Sequence, residues 1–432
     1  MPSQASPMET PKAPRRRLGP RPLPLHLAVA ALTWQSSRSA WPIWNSGSLP
    51  WKDQKAAESL RKALQGVDPE AFSQALGDAI EARSLALLRG IQAYQAHPYK
   101  RDLQDPPVLW SEGTTRLLDY GTTPPRSGNG KGAKRPVLLF VPSLINRAYI
   151  LDLAADGSLV RDFAERGFRP LLVDWDAPGE EERRFGLTDY IAGRLEACLD
   201  AALALDEGPV IAVGYCMGGL LALALAQRRV KDLAGLVLMA TPFDFHAGQG
   251  EQARLIGRSA IALGPLLDSL GELPVDTIQA LFAGLDPELV VRKFLSFGRL
   301  DSGNPKAAAF VALEDWLNDG VALAAPVARE CIAGWYGDNT PATGRWRVAG
   351  RVVDPAQVDL PALSLIPASD RIVPPGSAQA LADRLPQSEV LQPNLGHIGM
   401  VVSFKARKEI WDPLADWCFA TAQAASGSPR GA

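Results

Sequence analysis

Cysteine is scarce: four residues in 432, Cys198, Cys216, Cys331 and Cys418, with no C-x-x-C and no cysteine-to-histidine spacing. That pattern excludes a disulfide framework and a cysteine-ligated zinc site, and it fits a reducing compartment. An excess of one charge is also missing. Forty-five Lys plus Arg stand against 47 Asp plus Glu, a net of −2, so the chain lacks the basic field a nucleic-acid partner requires. No run reaches the roughly 18 apolar residues of a membrane-spanning helix. Arg15 to Arg17 followed by the apolar stretch Leu23 to Leu32 imitates a secretory signal. Pro24 and His26 break that stretch, no A-x-A site follows, and the expected location is the cytoplasm. What is present is 47% hydrophobic and 21% charged residues, enough to bury a large core and unlike a disordered, collagen-like or coiled-coil chain.

Composition and periodicity divide the chain. Residues 1–33 begin rich in Pro, Ser and Arg and are expected to form a disordered tail. Residues 34–106 are expected to form a helical N-terminal extension, with Phe72, Leu76, Ile80, Leu87 and Ile91 at helical steps and Asp68-Pro69 as cap and first turn. Four tryptophans, Trp34, Trp41, Trp44 and Trp51, open it. They are expected either to dock on the main domain or to offer an apolar patch to a partner subunit or polymer surface. Val108 to Glu112 and Thr115 to Tyr120 read as a hairpin around Gly113. The following segment, Gly121 to Arg135, reads as a surface loop; its GNGKG precedes a strand and has no Ser/Thr after GK, so it is not a phosphate loop.

From Pro136 short, continuously apolar strands (137–141, 170–175, 210–213, 235–240, 362–368, 389–392) alternate with helices, the signature of a mostly parallel sheet covered on both faces. The expected core therefore spans 107–242 and 351–419. Residues 243–350 interrupt it as a helical lid or cap insertion, and 420–432 form a small-residue tail.

The stretch VIAVGYCMGGLLALALA, residues 210–226, runs a buried strand through Gly214-Tyr215-Cys216-Met217-Gly218-Gly219 into a helix lined with small residues. This is the G-x-nucleophile-x-G elbow of α/β hydrolases, with cysteine as nucleophile. Glycines flank the sharp turn because side chains there would strike backbone, and the helix N-terminus favours thiolate and oxyanion. Cys198 falls in the stripe of Ile191, Leu195 and Leu199, and it, Cys331 and Cys418 read as helix packing. Chain order in this fold runs nucleophile, acid, histidine, which selects His397 in PNLGHIGMV as the base. His26 and His97 precede the elbow, and His246 reads as a lid or surface residue. The expected acid is Asp370 in IPASDRIVPP, with Asp244 in TPFDF as the rival. The oxyanion hole is expected at the amides of Met217 and Leu144. An acyl group on a thiol keeps the transfer potential of a thioester, so such an elbow suits acyl transfer from a thioester to a hydroxyl; hydrolysis of activated esters is also compatible with it.

LINRAYILDL (144–153), DGSLVRDFAERGF followed by LLVDWDAPGEEERRFGLTDYI, then GYCMGG, LVLMATPFDF and GHIGMVVSFKA together resemble the catalytic subunit of polyhydroxyalkanoate synthases, most of all the short two-component type often called class III. The resemblance covers roughly residues 108–418. It implies polymerisation of 3-hydroxyacyl-CoA into polyester with release of CoA, with Cys216 carrying the growing chain as a thioester and His397 activating the thiol. Asp370 would orient His397 or help activate the substrate's 3-hydroxyl. It further implies no cofactor and no metal, since CoA arrives with the substrate. A homodimer or an accessory subunit is the implied protein partner, and a polymer granule the implied surface. The chain departs from the family in having Arg371 after Asp370 where histidine is frequent, and in its longer N-terminal extension. Within the lid only FVALEDW (310–316) matches well. The competing readings are a dienelactone-hydrolase-like or thioesterase activity on the same triad, and a non-catalytic granule-associated relative.

Overall fold

The computed structural model describes residues 17–46, 53–122 and 134–427. Trp51, the GNGKG segment, and the outer parts of both expected tails lie outside the described residues. The described chain forms two compact units: residues up to 99 with 286–318, and residues 100–285 with 319 onward.

The larger unit is built on eight strands: β1 (Val108–Glu112), β2 (Thr115–Asp119), β3 (Val137–Val141), β4 (Arg169–Asp174), β5 (Val210–Tyr215), β6 (Gly235–Met239), β7 (Ala362–Leu365) and β8 (Ser388–Leu391). They pair in the order β1-β2-β4-β3-β5-β6-β7-β8. β2 runs antiparallel to β1 and β4, and the remaining neighbours are parallel. Every residue of β3, β5 and β6 is buried, as continuous apolar strands must be when helices cover both faces. The edge strands β1 and β8 are partly exposed and correspondingly more polar. Register aligns the carboxyl ends: Val141 pairs Gly214, Tyr215 pairs Met239, and Leu365 pairs both Met239 and Leu391. The loops after β3, β5, β7 and β8 therefore leave from one rim, where ligands of parallel α/β sheets bind.

Over that rim lie the helices Gly250–Leu270 and Val275–Ala283 and a π-helical stretch, Glu330–Gly337. Gly257 and Gly337 meet backbone to backbone, since a Cβ on Gly257 would strike the Gly337 Cα. The helix Gly250–Leu270 can approach this closely because both partners lack side chains.

The smaller unit is helical. Asp68 caps the helix Pro69–Ala96 by accepting the Ala71 amide at 2.9 Å, as its sequence suggested. Leu87, Ile91 and Tyr94 of that helix pack with Val291, Phe294 and Phe297 of the helix Leu289–Phe297 and with Val311.

Three boundaries differ from expectation. Residues 23–36 form a helix that buries His26 and Ala30 inside the unit, although the disordered tail was expected to reach residue 33. Arg17 is likewise anchored, through Asp315 at 2.7 Å. The 243–350 insertion is not one cap, because 286–318, including FVALEDW, belongs to the helical unit. Trp41 and Trp44 pack on Phe72 of the extension's own long helix, with ring centroids at 4.6 and 5.9 Å. At the other end the last helix continues to Gly427, well past residue 419, with Thr421 and Ala422 buried. The three differences share a cause. Local composition carries no record of long-range apolar partners.

Candidate active site

Cys216 sits between β5 and the helix Met217–Arg228 with φ 55° and ψ −127°, a backbone region that side-chain-bearing residues seldom adopt. The turn is held by its own backbone: the Cys216 amide donates to the Met239 carbonyl at 2.8 Å, and the Gly219 amide to the Cys216 carbonyl at 2.9 Å. The glycines are sterically required. A Cβ on Gly218 would strike the Val141 carbonyl, one on Gly219 the Thr241 side chain, and one on Gly214 the Gly219 Cα.

His397, in the loop after β8, is buried, with the Cys216 side chain near enough to act on the charge of its ring. Its Nδ1 meets Asp370 Oδ2 at 2.7 Å. The other carboxylate oxygen, Oδ1, accepts the amides of Ile372 at 2.8 Å and Val373 at 2.9 Å. Tyr215 adds a strut, its hydroxyl donating to the His397 carbonyl at 3.2 Å. Burial alone would lower the imidazole's pKa; the Cys216 thiol and the Asp370 carboxylate outweigh it and raise the value from 6.5 to about 10. Such a ring can accept a thiol proton and hold it.

Asp244 does not take the acid's place. Its Oδ1 receives Asn339 Nδ2 at 2.8 Å and the His246 amide at 2.9 Å. His246 turns its Nε2 to the Tyr336 carbonyl at 3.0 Å, while His26 and His97 lie in the helical unit, bonded to the Arg21 and Ser302 carbonyls. The remaining cysteines are buried. Burial pushes the Cys198 thiol up to about 12 and those of Cys331 and Cys418 well above the ordinary range.

Met217 opens its helix, so its amide has no partner within that helix. Leu144 is buried in the loop after β3, whose Pro142 carbonyl accepts Trp175 Nε1 at 3.0 Å. Because Gly218 abuts the Val141 carbonyl, this loop lies directly against the elbow.

Cys216 opens into a cavity of about 140 Å³ with an almost wholly apolar lining, including Phe245, Ile256, Phe282 and Trp335. Cys331, expected only to pack a helix, also contributes to that lining. Tyr215, Asn339 and Tyr336 went unrecognised as site residues. Tyr215 lay inside the elbow motif, but nothing in its spacing told of a bond to residue 397. A thiol beside an imidazole that a carboxylate orients can lose its proton and attack a carbonyl carbon, and an apolar cavity beside it can receive an acyl chain.

Residues 136–403, more than half of the chain, match the family described as alpha/beta hydrolase fold. Among curated proteins the chain is 31% identical over 291 residues to the poly(3-hydroxyalkanoate) polymerase subunit PhaC of Synechocystis sp., a match covering 65% of this chain and 77% of that one. It is 28% identical over 314 residues to the protein so named in Haloferax mediterranei, covering 72% of this chain but only 63% of the relative. With that of Allochromatium vinosum it shares 29% over 296 residues, 67% of this chain and 82% of the relative.

Proposed function

Because the chain belongs to the α/β-hydrolase fold family and, within it, to the poly(3-hydroxyalkanoate) polymerases, we propose that it polymerises 3-hydroxyacyl-CoA into polyester through Cys216, His397 and Asp370. The observation that carries this reading is the placing of Cys216 beside the hydrogen-bonded pair His397–Asp370 and in the wall of a largely apolar cavity.

In the proposed cycle His397 takes the Cys216 proton, and the thiolate attacks the thioester carbonyl of 3-hydroxyacyl-CoA. The amide of Met217 and that of Leu144 meet the oxyanion. The bond from carbonyl carbon to CoA sulfur breaks, CoA leaves with the proton from His397, and the acyl group remains on Cys216 as a thioester. The 3-hydroxyl of a second 3-hydroxyacyl-CoA then gives its proton to His397 and attacks that thioester. A C–O bond forms, the C–S bond to Cys216 breaks, and the proton returns to the thiol. The lengthened chain, now a CoA thioester, acylates Cys216 again and releases CoA. Asp370 keeps the imidazole in one orientation and stabilises its protonated form. No cofactor enters these steps. A second copy of the chain or an accessory subunit, at the surface of a polyester granule, completes the reading; solution mass with and without substrate tests the association.

The decisive experiment is CoA release from 3-hydroxybutyryl-CoA, with Cys216→Ala as control and size analysis of the product. High-mass polyester that disappears in the variant is the expected result. Free 3-hydroxybutyrate in its place would replace polymerase by hydrolase on the same triad, and absence of CoA release would overturn the catalytic assignment for this substrate.

A further inference from the structure

Tyr336 stands in the wall of the cavity that Cys216 opens into. It belongs to the π-helical stretch Glu330–Gly337, a conformation that gathers at functional sites because it redirects side chains the α-helix would turn away. Two contacts fix its position. Its carbonyl accepts His246 Nε2 at 3.0 Å, and its ring meets Phe245 edge-on at 5.0 Å between centroids. Its hydroxyl, by contrast, has no hydrogen-bond partner among the described residues. Burial keeps the phenol protonated, so it remains a donor at neutral pH.

A donor that stands in the wall of an apolar cavity with no protein partner is open to a ligand's acceptor, and cavities that bind small molecules fix orientation with a few such polar groups. The surroundings narrow the choice of acceptor. Ile145, Phe282, Ile332 and Ile372 offer an acyl chain hydrocarbon, and the lining also carries Asp244, Gln249, Gln252 and Ser377. Asp244 is engaged by Asn339, and the Ser377 hydroxyl accepts the Phe243 amide. An acyl group attached to Cys216 and lying along this wall brings its own oxygen to the phenol.

We propose that Tyr336 is a specificity-determining residue, its hydroxyl donating a hydrogen bond to the 3-oxygen of the acyl group bound at Cys216 and so selecting 3-oxygenated acyl thioesters over plain alkanoyl ones. The inference rests on the acyl-transfer reading of Cys216. Its physical basis is an asymmetry in discrimination: a site that pairs a substrate oxygen rejects the analogue lacking it far more strongly than an apolar pocket rejects a changed methylene count.

The test compares single-turnover CoA release from 3-hydroxybutyryl-CoA and butyryl-CoA by the full chain and by Tyr336→Phe. The variant keeps the ring on Phe245 and removes a hydroxyl with no protein partner, so its melting temperature should match the wild type and certify the fold. The expected result is that the hydroxyacyl-to-acyl rate ratio falls about 10- to 100-fold in the variant. An unchanged ratio with an active wild type overturns this inference alone. Equal losses on both substrates also overturn it, placing the hydroxyl at the thioester carbonyl, which both share. A wild type that releases CoA from neither overturns the acyl-transfer reading and this inference with it.

Discussion

The sheet-bearing unit and the helical unit both rely on glycine to bring backbones together, but with different results. At the elbow three glycines within six residues, Gly214, Gly218 and Gly219, clear space around a residue whose own φ is 55°. In the helical unit Gly90 of the helix Pro69–Ala96 lets that helix approach the Phe294 carbonyl and Gly298, at a Cα that would lie 3.0 Å from a Cβ on Gly298. The first arrangement stores strain of about 1–3 kcal/mol at a reactive residue. The second is ordinary close packing, with every residue in relaxed helical geometry. Glycine thus clears space around a strained residue in the one unit, and in the other lets two helices cross closely.

That difference can be broken or sharpened experimentally. The largest effect is expected at the rim: Asp370→Asn removes the acceptor for protonated His397 and should cut CoA release about 10,000-fold. Asp244→Asn, whose carboxylate serves Asn339, should leave turnover close to wild type; the reverse ranking would move the acid to Asp244. Next comes Gly218→Ala, whose Cβ would collide with the Val141 and Pro142 backbone; a loss of about 3 kcal/mol in denaturant unfolding, together with loss of Cys216 alkylation, is expected. Gly90→Ala should cost less, about 1–2 kcal/mol, because alanine returns up to about 1 kcal/mol of helix propensity and two helices can slide apart. Faster hydrogen exchange across 289–297 in that variant would report it, and unchanged exchange would show the crossing to be loose.

The smallest effect is a pH dependence. His397 is raised from 6.5 to about 10 in the folded state, so its protonated form stabilises the fold. That contribution is complete below about 6.5, declines above it, and is gone once pH passes about 10. The melting-temperature gap between wild type and His397→Gln should therefore close as pH rises over that interval, and a gap constant with pH would count against a charged imidazole.

The central strands were legible because each is a short apolar run bounded by turn residues, and the elbow because its motif is contiguous. His397 and Asp370 were legible through chain order. The helical unit was not, since Phe294 and Val311 carry no local sign that they pack against Ile91 and Tyr94. The cavity was equally hidden: Phe245, Ile256 and Tyr336 converge only through the Gly257–Gly337 approach, which no periodicity encodes. The lid was read from the absence of strand alternation, and such a reading gives its extent without its partition between units.

The division of labour between the two oxygens of Asp370 reaches further than orientation. With Oδ1 tied to two amides and Oδ2 to Nδ1, a half-turn of the imidazole would take its protonated nitrogen away from the carboxylate and give it no comparable acceptor. The ring is a part with one permitted seating. In the proposed synthesis, which passes protons onto and off His397 for every monomer added, each transfer uses the same nitrogen, and none is lost to an idle rotamer.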